Sequence, residues 1–422
     1  MKKLKVVLIG AGSRGIIYTD YMAEAPDKYE IVAVAEPIDN RRNYIKEKHG
    51  LDDSMCFTTW EPLLDLGKIA DIAIIATMDR DHMGPALKAM EVGYDLLLEK
   101  PIAPNPQDCK KLMEHAKKHG RKAVVCTVLR YSTMYMKLKE IIDSGRIGEI
   151  MSINHEECVG NRHQSHSFVR GNWGNEGRSS CMLLQKSCHD MDILQWLIGK
   201  KCKKVQSFGA LSHFTSKNAP ADAPDYCIDG CPHEEECFYS TLKIYLNNKE
   251  NIWGRGAAAG AVNPTDEQVE KALRTTQYGR CAYKCDNDVV DHQTVNMLFE
   301  DDVTVTFTMN AFNRGRRNTH IMGTKGEIEA SLDGATPIKI YDFSTQQVEE
   351  ISVEGKDGIV NGHGGGDPGI VNTLYEYMTG NYTGKSVPDI ITSCENHLTT
   401  FAAEHSRKTG TIVDLDEYIE SL

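Results

Sequence analysis

The feature that most constrains the fold is a glycine-rich segment between an apolar run and a helical stretch near the N-terminus. Residues 5–9 read Lys-Val-Val-Leu-Ile, and residues 10–15 follow directly as Gly-Ala-Gly-Ser-Arg-Gly. A continuous apolar run predicts a strand that is covered on both faces, as in a parallel sheet. Glycines at this spacing between a strand and a helix let the backbone approach a pyrophosphate at the helix N-terminus. The segment therefore predicts a Rossmann dinucleotide-binding unit.

An acidic residue after the next strand favours one dinucleotide over another. Residues 31–35 form the second apolar run, and Glu36 follows it. A carboxylate at this position accepts hydrogen bonds from the adenosine ribose and repels a 2′-phosphate, so NAD is favoured over NADP. Arg41 and Arg42 could offset part of that repulsion, although solvated first-turn residues of a helix are the simpler interpretation. The predicted cofactor contacts in this region are Gly10, Gly12, Ser13, Arg14, Gly15 and Glu36.

Two further strands end in polar segments. Residues 72–76 precede one loop, and residues 96–98, Leu-Leu-Leu, precede Glu-Lys-Pro at residues 99–101. Ligands bind open α/β sheets at the carboxyl ends of the strands, so both segments are expected to face the nicotinamide half of a dinucleotide. His82 is expected to cap a helix or to hold the cofactor loop. The cofactor contacts predicted here are Thr77, His82, Glu99 and Lys100.

Composition argues against several classes of partner. The net charge of -12 provides no basic surface that would neutralise phosphates in bulk, so nucleic acid and anionic membranes are not expected partners. No apolar run is long enough to span a bilayer, and the first residues lead into a strand, so a cytoplasmic location is expected. Thirteen cysteines in such a chain predict reduced thiols and not a disulfide framework.

The chain is longer than one hydrophobic core usually supports, which predicts an α/β protein of two domains. Strands alternate with helices in the first part, so the Rossmann domain is placed at residues 1–129. Residues 130–422 are predicted to form an α+β domain with an open, mainly antiparallel sheet. Residues 294–299 and 303–309 support this prediction because they read as a hairpin around an acidic turn. A short strand at Val413 is expected to pair with the Rossmann side.

These motifs together resemble the Gfo/Idh/MocA family of NAD(P)-dependent oxidoreductases of sugars and polyols. The resemblance extends over the whole chain and rests on the glycine loop, Glu36, Glu99-Lys100-Pro101 and Arg130-Tyr131. It implies that Lys100 lies beside the nicotinamide and the reacting hydroxyl, with a cis peptide bond before Pro101. It also implies a small-molecule carbohydrate substrate and a homo-oligomer, a dimer or tetramer, formed through the exposed face of the sheet.

A second family motif consists of an aspartate, a histidine four residues later and another aspartate three residues after that. His189 and Asp192 match this motif, whereas Gln185 stands where many dehydrogenases of the family carry aspartate, and Lys186 adds a charge. Helical periodicity over residues 189–197 puts His189 and Asp192 on one face. The motif favours a catalytic site built from His189, Lys186 and Asp192 with Lys100, and a structural histidine is the alternative.

The chemistry requires these residue types. Hydride transfer from a carbinol carbon requires removal of the hydroxyl proton, so a base must reach that oxygen. An unperturbed histidine can serve, whereas a lysine serves only when it is desolvated or crowded by positive charge. We assign His189 as general base or acid. Lys100 is expected to donate a hydrogen bond to the reacting oxygen, and in one variant of this hypothesis Lys100 also relays the proton. The predicted substrate contacts are Arg130, Tyr131, Gln185, His292 and His363.

Two other segments leave alternatives open. Residues 363–367 read His-Gly-Gly-Gly-Asp, and Asp367 before a proline is typical of an N-cap, so His363 either belongs to a capping loop or enters the site. Cys227, Cys231 and Cys237 are spaced by three and five residues, unlike a two-residue zinc knuckle. An ordered insertion with reduced thiols is therefore favoured over a metal site.

Three functions remain open at this point. The first is an NAD-dependent oxidoreductase that acts on a carbohydrate or glycoside hydroxyl. The second is an NAD-requiring glycoside hydrolase, in which transient oxidation at C3 permits elimination, water addition and re-reduction. Gln185 and the loop at residues 363–367 favour this alternative. The third is a non-catalytic NAD-binding regulator.

Overall fold

Two sheets organise the described part of the chain, one parallel and six-stranded, the other mixed and nine-stranded. This computed structural model describes residues 2–333, 335–353, 363–384 and 387–422. The predicted fold class, a Rossmann domain followed by a domain with a mainly antiparallel sheet, is confirmed. No helix within these described ranges is long and apolar enough to cross a membrane.

The elements of the first sheet and its helices are β1 (Leu4–Ile9), α1 (Ser13–Ala23), β2 (Tyr29–Ala35), α2 (Asp39–His49), β3 (Cys56–Phe57), α3 (Trp60–Asp65), β4 (Ile72–Ile75), α4 (Met83–Val92), β5 (Asp95–Leu98), α5 (Pro106–His119) and β6 (Ala123–Val125). The strand order is β3-β2-β1-β4-β5-β6, and every pair is parallel. Every residue of β1 except Lys5 is buried, which explains the continuous apolar run. The order reverses between β1 and β4, which places the ligand crevice at their carboxyl ends.

The second part comprises α6 (Thr133–Asp143), β7 (Ile150–Cys158), α7 (Asn161–His163) with a π-helix over Gln164–Arg170, α8 (Met182–Ile198), β8 (Cys202–Ala210), α9 (Ile252–Ala259), α10 (Asp266–Thr275), β9 (His292–Phe299), β10 (Thr304–Asn310), β11 (Arg316–Gly323), β12 (Gly326–Ser331), β13 (Ile338–Asp342), β14 (Gln347–Ile351), α11 (Gly366–Thr379), α12 (Ile390–Thr409), β15 (Val413–Asp414) and α13 (Leu415–Glu420). The strand order is β14-β13-β12-β11-β7-β10-β9-β8-β15. The β7–β10 pair is parallel and the other pairs are antiparallel. The predicted hairpin is β9–β10.

Two sequence expectations about this part are wrong. Helix α8 begins at Met182, well before the predicted start at residue 189, because it is buried on nearly all sides and so shows little amphipathic periodicity. The strand at Val413 pairs with Val205 of β8, in the second sheet, and not with the Rossmann side.

Helix α11 returns from the second part of the chain to the Rossmann domain. Its residues Ile370 and Leu374 share one buried apolar cluster with Leu8 and Val34 of the first sheet. A linear division of the chain does not anticipate this packing, and the boundary after residue 129 stays a prediction.

Candidate active site

The glycine-rich loop forms a backbone cradle at the carboxyl end of β1. Gly10 has a φ of +91°, and a Cβ there would lie 2.5 Å from the carbonyl oxygen of Ala76. A Cβ on Gly15 would lie 2.2 Å from the carbonyl oxygen of Gly10. Gly12 is the N-cap of α1 and provides no side-chain cap, and a Cβ on it would meet nothing within 4 Å. This open helix N-terminus, which begins at Ser13, fits the pyrophosphate of a dinucleotide.

Glu36 lies at the end of β2, as predicted, and is 4% exposed. Its Oε2 accepts from the backbone N–H of Ala11 at 2.7 Å, and its Oε1 accepts from the N–H of Ile38 at 2.9 Å. Each carboxylate oxygen keeps a further lone pair, so the residue fits a ribose with free hydroxyls. The guanidinium of Arg42 is engaged by Asp39 and by the carbonyl oxygen of Glu36.

Arg14 links the glycine loop to two other segments. Its Nε donates to Oε1 of Glu99 at 3.0 Å, and its Nη2 donates to Oδ1 of Asp367 at 2.6 Å. Oδ2 of Asp367 lies 3.0 Å from Nδ1 of His363. Burial favours a raised pKa for Asp367, but the bonds with His363 and Arg14 hold the pKa well below its usual range. The predicted N-cap role of Asp367 is wrong, since Gly365 is the N-cap of α11 and Asp367 orients His363.

Lys100 lies just after β5, beside the second domain. Its Nζ donates to the carbonyl oxygen of Gln185 at 3.0 Å and lies 5.9 Å from the ring centroid of Trp173. The indole N–H of Trp173 donates to Oδ2 of Asp79 at 2.9 Å. Burial raises the pKa of Asp79 in spite of the nearby charge of Lys100. The peptide bond between Lys100 and Pro101 is cis, as the resemblance implies.

One face of α8 carries polar groups that have no hydrogen-bond partner among the described residues. Gln185 is 2% exposed, and neither its amide oxygen nor its amide nitrogen has a hydrogen-bond partner among the described residues. His189 is 6% exposed, and its Nδ1 likewise has no partner in the described part of the chain. Burial, followed by the charges of Lys100 and His363, lowers the pKa of His189 well below its usual range. The ring is therefore neutral at pH 7, and the lowered pKa makes it a weaker base than an unperturbed histidine.

A buried ionic network supports this face of α8. Nζ of Lys186 lies 3.3 Å from Oε1 of Glu157 on β7, and burial lowers the pKa of Lys186. Arg317 on β11 contacts Oε2 of Glu157 at 2.5 Å and Oδ1 of Asp190 at 2.8 Å. These contacts join α8 to β7 and β11. They therefore hold the neighbouring His189 in position on the helix.

The structure adds His163, which sequence reasoning missed. Burial, followed by the charge of Lys186 and with a contribution from Lys100, lowers the pKa of His163 well below its usual range. The charges of both lysines thus act on this ring. Residues 161–170 show no regular periodicity because a short helix passes into a π-helix. The polar, histidine-containing run at residues 161–166 is the sequence signal that could have drawn attention to it.

Two of the predicted site residues pair with each other. Arg130 donates from Nε and Nη2 to the two carboxylate oxygens of Asp192, each at 2.6 Å, and Asn396 donates to Oδ1 of Asp192 at 2.6 Å. Arg130 and Asp192 are buried and paired with each other, which gives the pair a structural role, and their predicted substrate and catalytic roles stay predictions. Tyr131 is also buried, and burial raises its pKa.

The remaining predicted histidines differ from one another. His82 is buried, with Nδ1 2.9 Å from the carbonyl oxygen of Pro101 and Nε2 3.3 Å from that of Thr77, so it holds the segments that follow β4 and β5 together. The side chain of His292 is 43% exposed, and its Nδ1 lies 2.8 Å from Oδ1 of Asp291. Its described hydrogen bonds include none with the glycine loop or with α8.

The cysteine-rich insertion surrounds a cavity whose lining includes none of the site residues named above. Cys227, Cys231, Cys237 and Cys281 line a cavity of about 220 Å³. All four are free thiols. Within the described ranges no three His, Cys, Asp or Glu side chains are arranged to hold a metal ion.

A glycine cradle on a parallel sheet, facing polar groups on a second domain with a mixed sheet, defines a two-domain dinucleotide-binding oxidoreductase. The chain belongs to the Gfo/Idh/MocA oxidoreductase family. The family's NAD-binding Rossmann fold matches residues 4–127, and its C-terminal alpha/beta domain matches residues 139–381.

The sequence identity between this chain and individual relatives is low. The chain is 26% identical to YteT of Bacillus subtilis over 325 residues, 72% of each chain. It is 25% identical to inositol 2-dehydrogenase of Salmonella typhimurium over 206 residues, 49% of this chain and 57% of that protein.

Solved structures share the fold at lower identity. An oxidoreductase from Agrobacterium radiobacter in complex with NAD+ and L-tartaric acid has a TM-score of 0.70 at 14% identity, covering 99% of both chains. Scyllo-inositol dehydrogenase of Lactobacillus casei, with bound NAD(H) and scyllo-inositol, has a TM-score of 0.66 at 15% identity, covering 98% of this chain and 100% of that one. At these identities the likeness shows the fold alone.

Proposed function

We propose that this chain is an NAD-dependent oxidoreductase that transfers hydride between the cofactor and a hydroxyl-bearing carbon of a carbohydrate or polyol. The observation that carries the proposal is a pair of buried side chains on α8, Gln185 and His189, near Lys100. The amide atoms of Gln185 and Nδ1 of His189 have no hydrogen-bond partner among the residues that the structure describes. Buried polar groups without partners are costly, so a ligand rich in hydrogen-bonding groups would stabilise this site. A polyol has such groups, and the inositol dehydrogenases among the relatives support this class.

The site residues have distinct parts in this mechanism. When bound, NAD would supply the hydride acceptor, held by the glycine loop at its pyrophosphate and by Glu36 at its ribose. Lys100 donates a hydrogen bond to the reacting oxygen, and its charge stabilises that oxygen as the proton leaves. Neutral His189 accepts the proton. Gln185 accepts from and donates to neighbouring substrate hydroxyls.

A redox-neutral glycoside hydrolase is a second candidate, and the histidine pair favours it. The rings of His189 and His363 have centroids 6.1 Å apart. Burial lowers the pKa of His363 in spite of its bond with Asp367, so both rings are neutral at pH 7. Such a hydrolase removes one proton from a hydroxyl and another from the adjacent carbon, which requires more than one base.

A substrate screen tests the proposal. The protein is incubated with NAD and, in turn, with inositols, hexoses and aryl glycosides, while absorbance at 340 nm and aglycone release are followed. A rise in absorbance from NADH, in an amount that scales with the amount of enzyme, supports the proposal. Aglycone release without formation of NADH supports the hydrolase. If neither signal appears while NAD raises the melting temperature, the chain is a regulator and both candidates fail. Because of Glu36, NAD is expected to raise the melting temperature more than NADP does.

A further inference from the structure

The surroundings of His189 stabilise a proton on its ring poorly. After burial, neighbouring ionisable groups lower the pKa of His189 further, and the strongest of them are Lys100, His363, Arg317 and Lys186. None of these four is a carboxylate. A proton taken up by His189 would therefore create a buried cation that its neighbours destabilise. These surroundings favour transfer of the proton to a second group.

His363 lies next to His189 and has an anionic partner. The centroids of the two rings are 6.1 Å apart, and Nδ1 of His363 lies 3.0 Å from Oδ2 of Asp367. Although burial opposes it, the bonds with His363 and Arg14 hold the pKa of Asp367 well below its usual range, so Asp367 is ionised at pH 7. An ionised carboxylate only accepts hydrogen bonds, so Nδ1 of His363 carries the hydrogen and Nε2 carries the lone pair.

The two rings differ in how well they hold a proton. Burial is the main cause that lowers the pKa of both. At His363 the hydrogen bond and the charge of Asp367 oppose this lowering of the pKa, while the charges of Arg14 and Arg317 add to it. Since His189 has no such carboxylate among its strongest influences, the protonated ring is better stabilised at His363. Transfer of a proton from His189 to His363 is therefore favourable.

The loop that carries His363 is held in place by contacts with other segments. Nη2 of Arg14 donates to Oδ1 of Asp367 at 2.6 Å, which anchors the carboxylate. The N–H of Thr133 donates to the carbonyl oxygen of Gly364 at 3.1 Å. His363 itself has a φ of +52°, in the left-handed region that few non-glycine residues adopt. Backbone strain of this kind persists where surrounding contacts impose it, and it clusters at functional sites.

His363 is also the more accessible of the two rings. Its side chain is 35% exposed, whereas His189 is buried. At a centroid separation of 6.1 Å, one water or one substrate hydroxyl can bridge the two rings. A proton that reaches His363 therefore has access to solvent.

We propose that His363 is the proton relay of this site, which takes up at Nε2 the proton that His189 removes from the substrate hydroxyl and passes it to water. Asp367 is the positioning residue that orients the ring. The inference rests on the proposed function, which supplies the hydroxyl proton. In the oxidation the O–H bond of the carbinol breaks and its proton goes to His189, while the hydride leaves the carbon with its electron pair for NAD. An N–H bond of His189 then breaks as one forms at Nε2 of His363, and water finally takes the proton.

Rescue by imidazole tests the relay. The kcat of His363→Ala, with NAD and the substrate found in the screen, should fall about 10-fold or more, and imidazole added to the buffer should restore much of it. His363→Gln should be as slow, but its longer side chain fills the space that imidazole needs, so it should not be rescued. His405→Ala, at an exposed position of α12, is the control and should keep the kcat of the wild type.

A pH profile gives a second readout that a merely structural role would not move. The ring of His363 is faced by Asp367 on α11, Arg14 on α1, Arg317 on β11 and His189 on α8. Only neutral His363 accepts a proton, so the rate of oxidation should fall as the pH drops through the pKa of this ring. Asp367→Asn removes the negative charge and lowers that pKa, so the acid limb of the profile should move to lower pH by about one unit. Asp143→Asn, an exposed change on α6, should leave the limb in place.

The outcomes separate the relay from the proposed function. The relay is overturned if His363→Ala keeps the kcat of the wild type, if imidazole does not restore it, or if Asp367→Asn leaves the acid limb in place, while NADH formation by the wild type stands. A wild type that forms no NADH with any compound of the screen would overturn the proposed function and the relay with it.

Discussion

Helix α8 carries two sets of buried polar side chains with opposite surroundings. The carboxylate of Asp192 is bound by Arg130 and Asn396. Earlier on the same helix, about two turns and about one turn before Asp192, Gln185 and His189 carry polar atoms that have no hydrogen-bond partner in the described ranges. All of these side chains are at most 6% exposed, so burial does not separate the sets. Under the proposed function, this difference separates the carboxylate of Asp192, which holds the fold, from Gln185 and His189, which would bind a ligand.

The largest effect on stability is expected in the satisfied set. Asp192→Ala leaves the charge of Arg130 buried without a partner and should lower the free energy of unfolding by about 3–5 kcal/mol. Asp143→Ala removes an exposed partner of Lys139 on α6 and should cost less than about 1 kcal/mol. Urea unfolding measures both variants. Equal small losses would mean that the Arg130 pair is not structural.

A paired replacement sharpens this prediction. Arg130→Met combined with Asp192→Leu removes both charges together and should recover much of the stability that Asp192→Ala loses. A double variant no more stable than the single one would show that packing, and not the unpaired charge, causes the loss.

His397 on α12 is a buried histidine with a hydrogen-bond partner at each ring nitrogen. Its pKa gives a pH-dependent test of the comparison between partnered and unpartnered groups. His397 lies 3.1 Å from the N–H of Ile102 and 2.7 Å from the carbonyl oxygen of Ser393, and burial lowers its pKa to about 4. Because an unfolded histidine has a pKa of about 6.5, unfolding takes up a proton between these values, and stability falls as the pH drops through this window.

Replacement of that histidine should reduce the pH dependence. His397→Gln is expected to flatten the decline between about pH 6.5 and pH 4 by up to about 1.4 kcal/mol per pH unit. His405→Gln, at an exposed position of the same helix, is the control. Urea unfolding at several pH values measures the slopes, and identical slopes in the two variants would refute the assignment.

The smallest effect on stability is expected in the unsatisfied set. Gln185→Met replaces an unpartnered amide with an apolar side chain of similar length, so the free energy of unfolding should change by less than about 1 kcal/mol. The KM for the substrate found in the screen should rise, because the substrate loses its partner. A large loss of stability with an unchanged KM would place Gln185 in the structural set.

The sequence predicts the Rossmann half well because its signals are local. Apolar runs, the glycine spacing and Glu36 each depend on a few neighbouring residues. The start of α8 could not be read, since a helix buried on nearly all sides has no polar face.

The site is predicted less completely because side-chain partners come from distant segments. Arg130 and Asp192 meet only in the folded chain, so their pairing gives no sequence signal. His163 ends a one-turn helix that passes directly into a π-helical segment, and no periodicity marks either of them. Asp367 has the sequence of a cap, yet it pairs with Arg14 from the other end of the chain.

The central claim is that Lys100 and His189 form the proton-transfer site for hydride transfer. Single-turnover absorbance at 340 nm, with NAD and the substrate from the screen, measures it in Lys100→Met and His189→Ala. Both variants are expected to keep the NAD-induced rise in melting temperature while the rate falls about 100-fold or more. Unchanged rates in both variants would contradict the account.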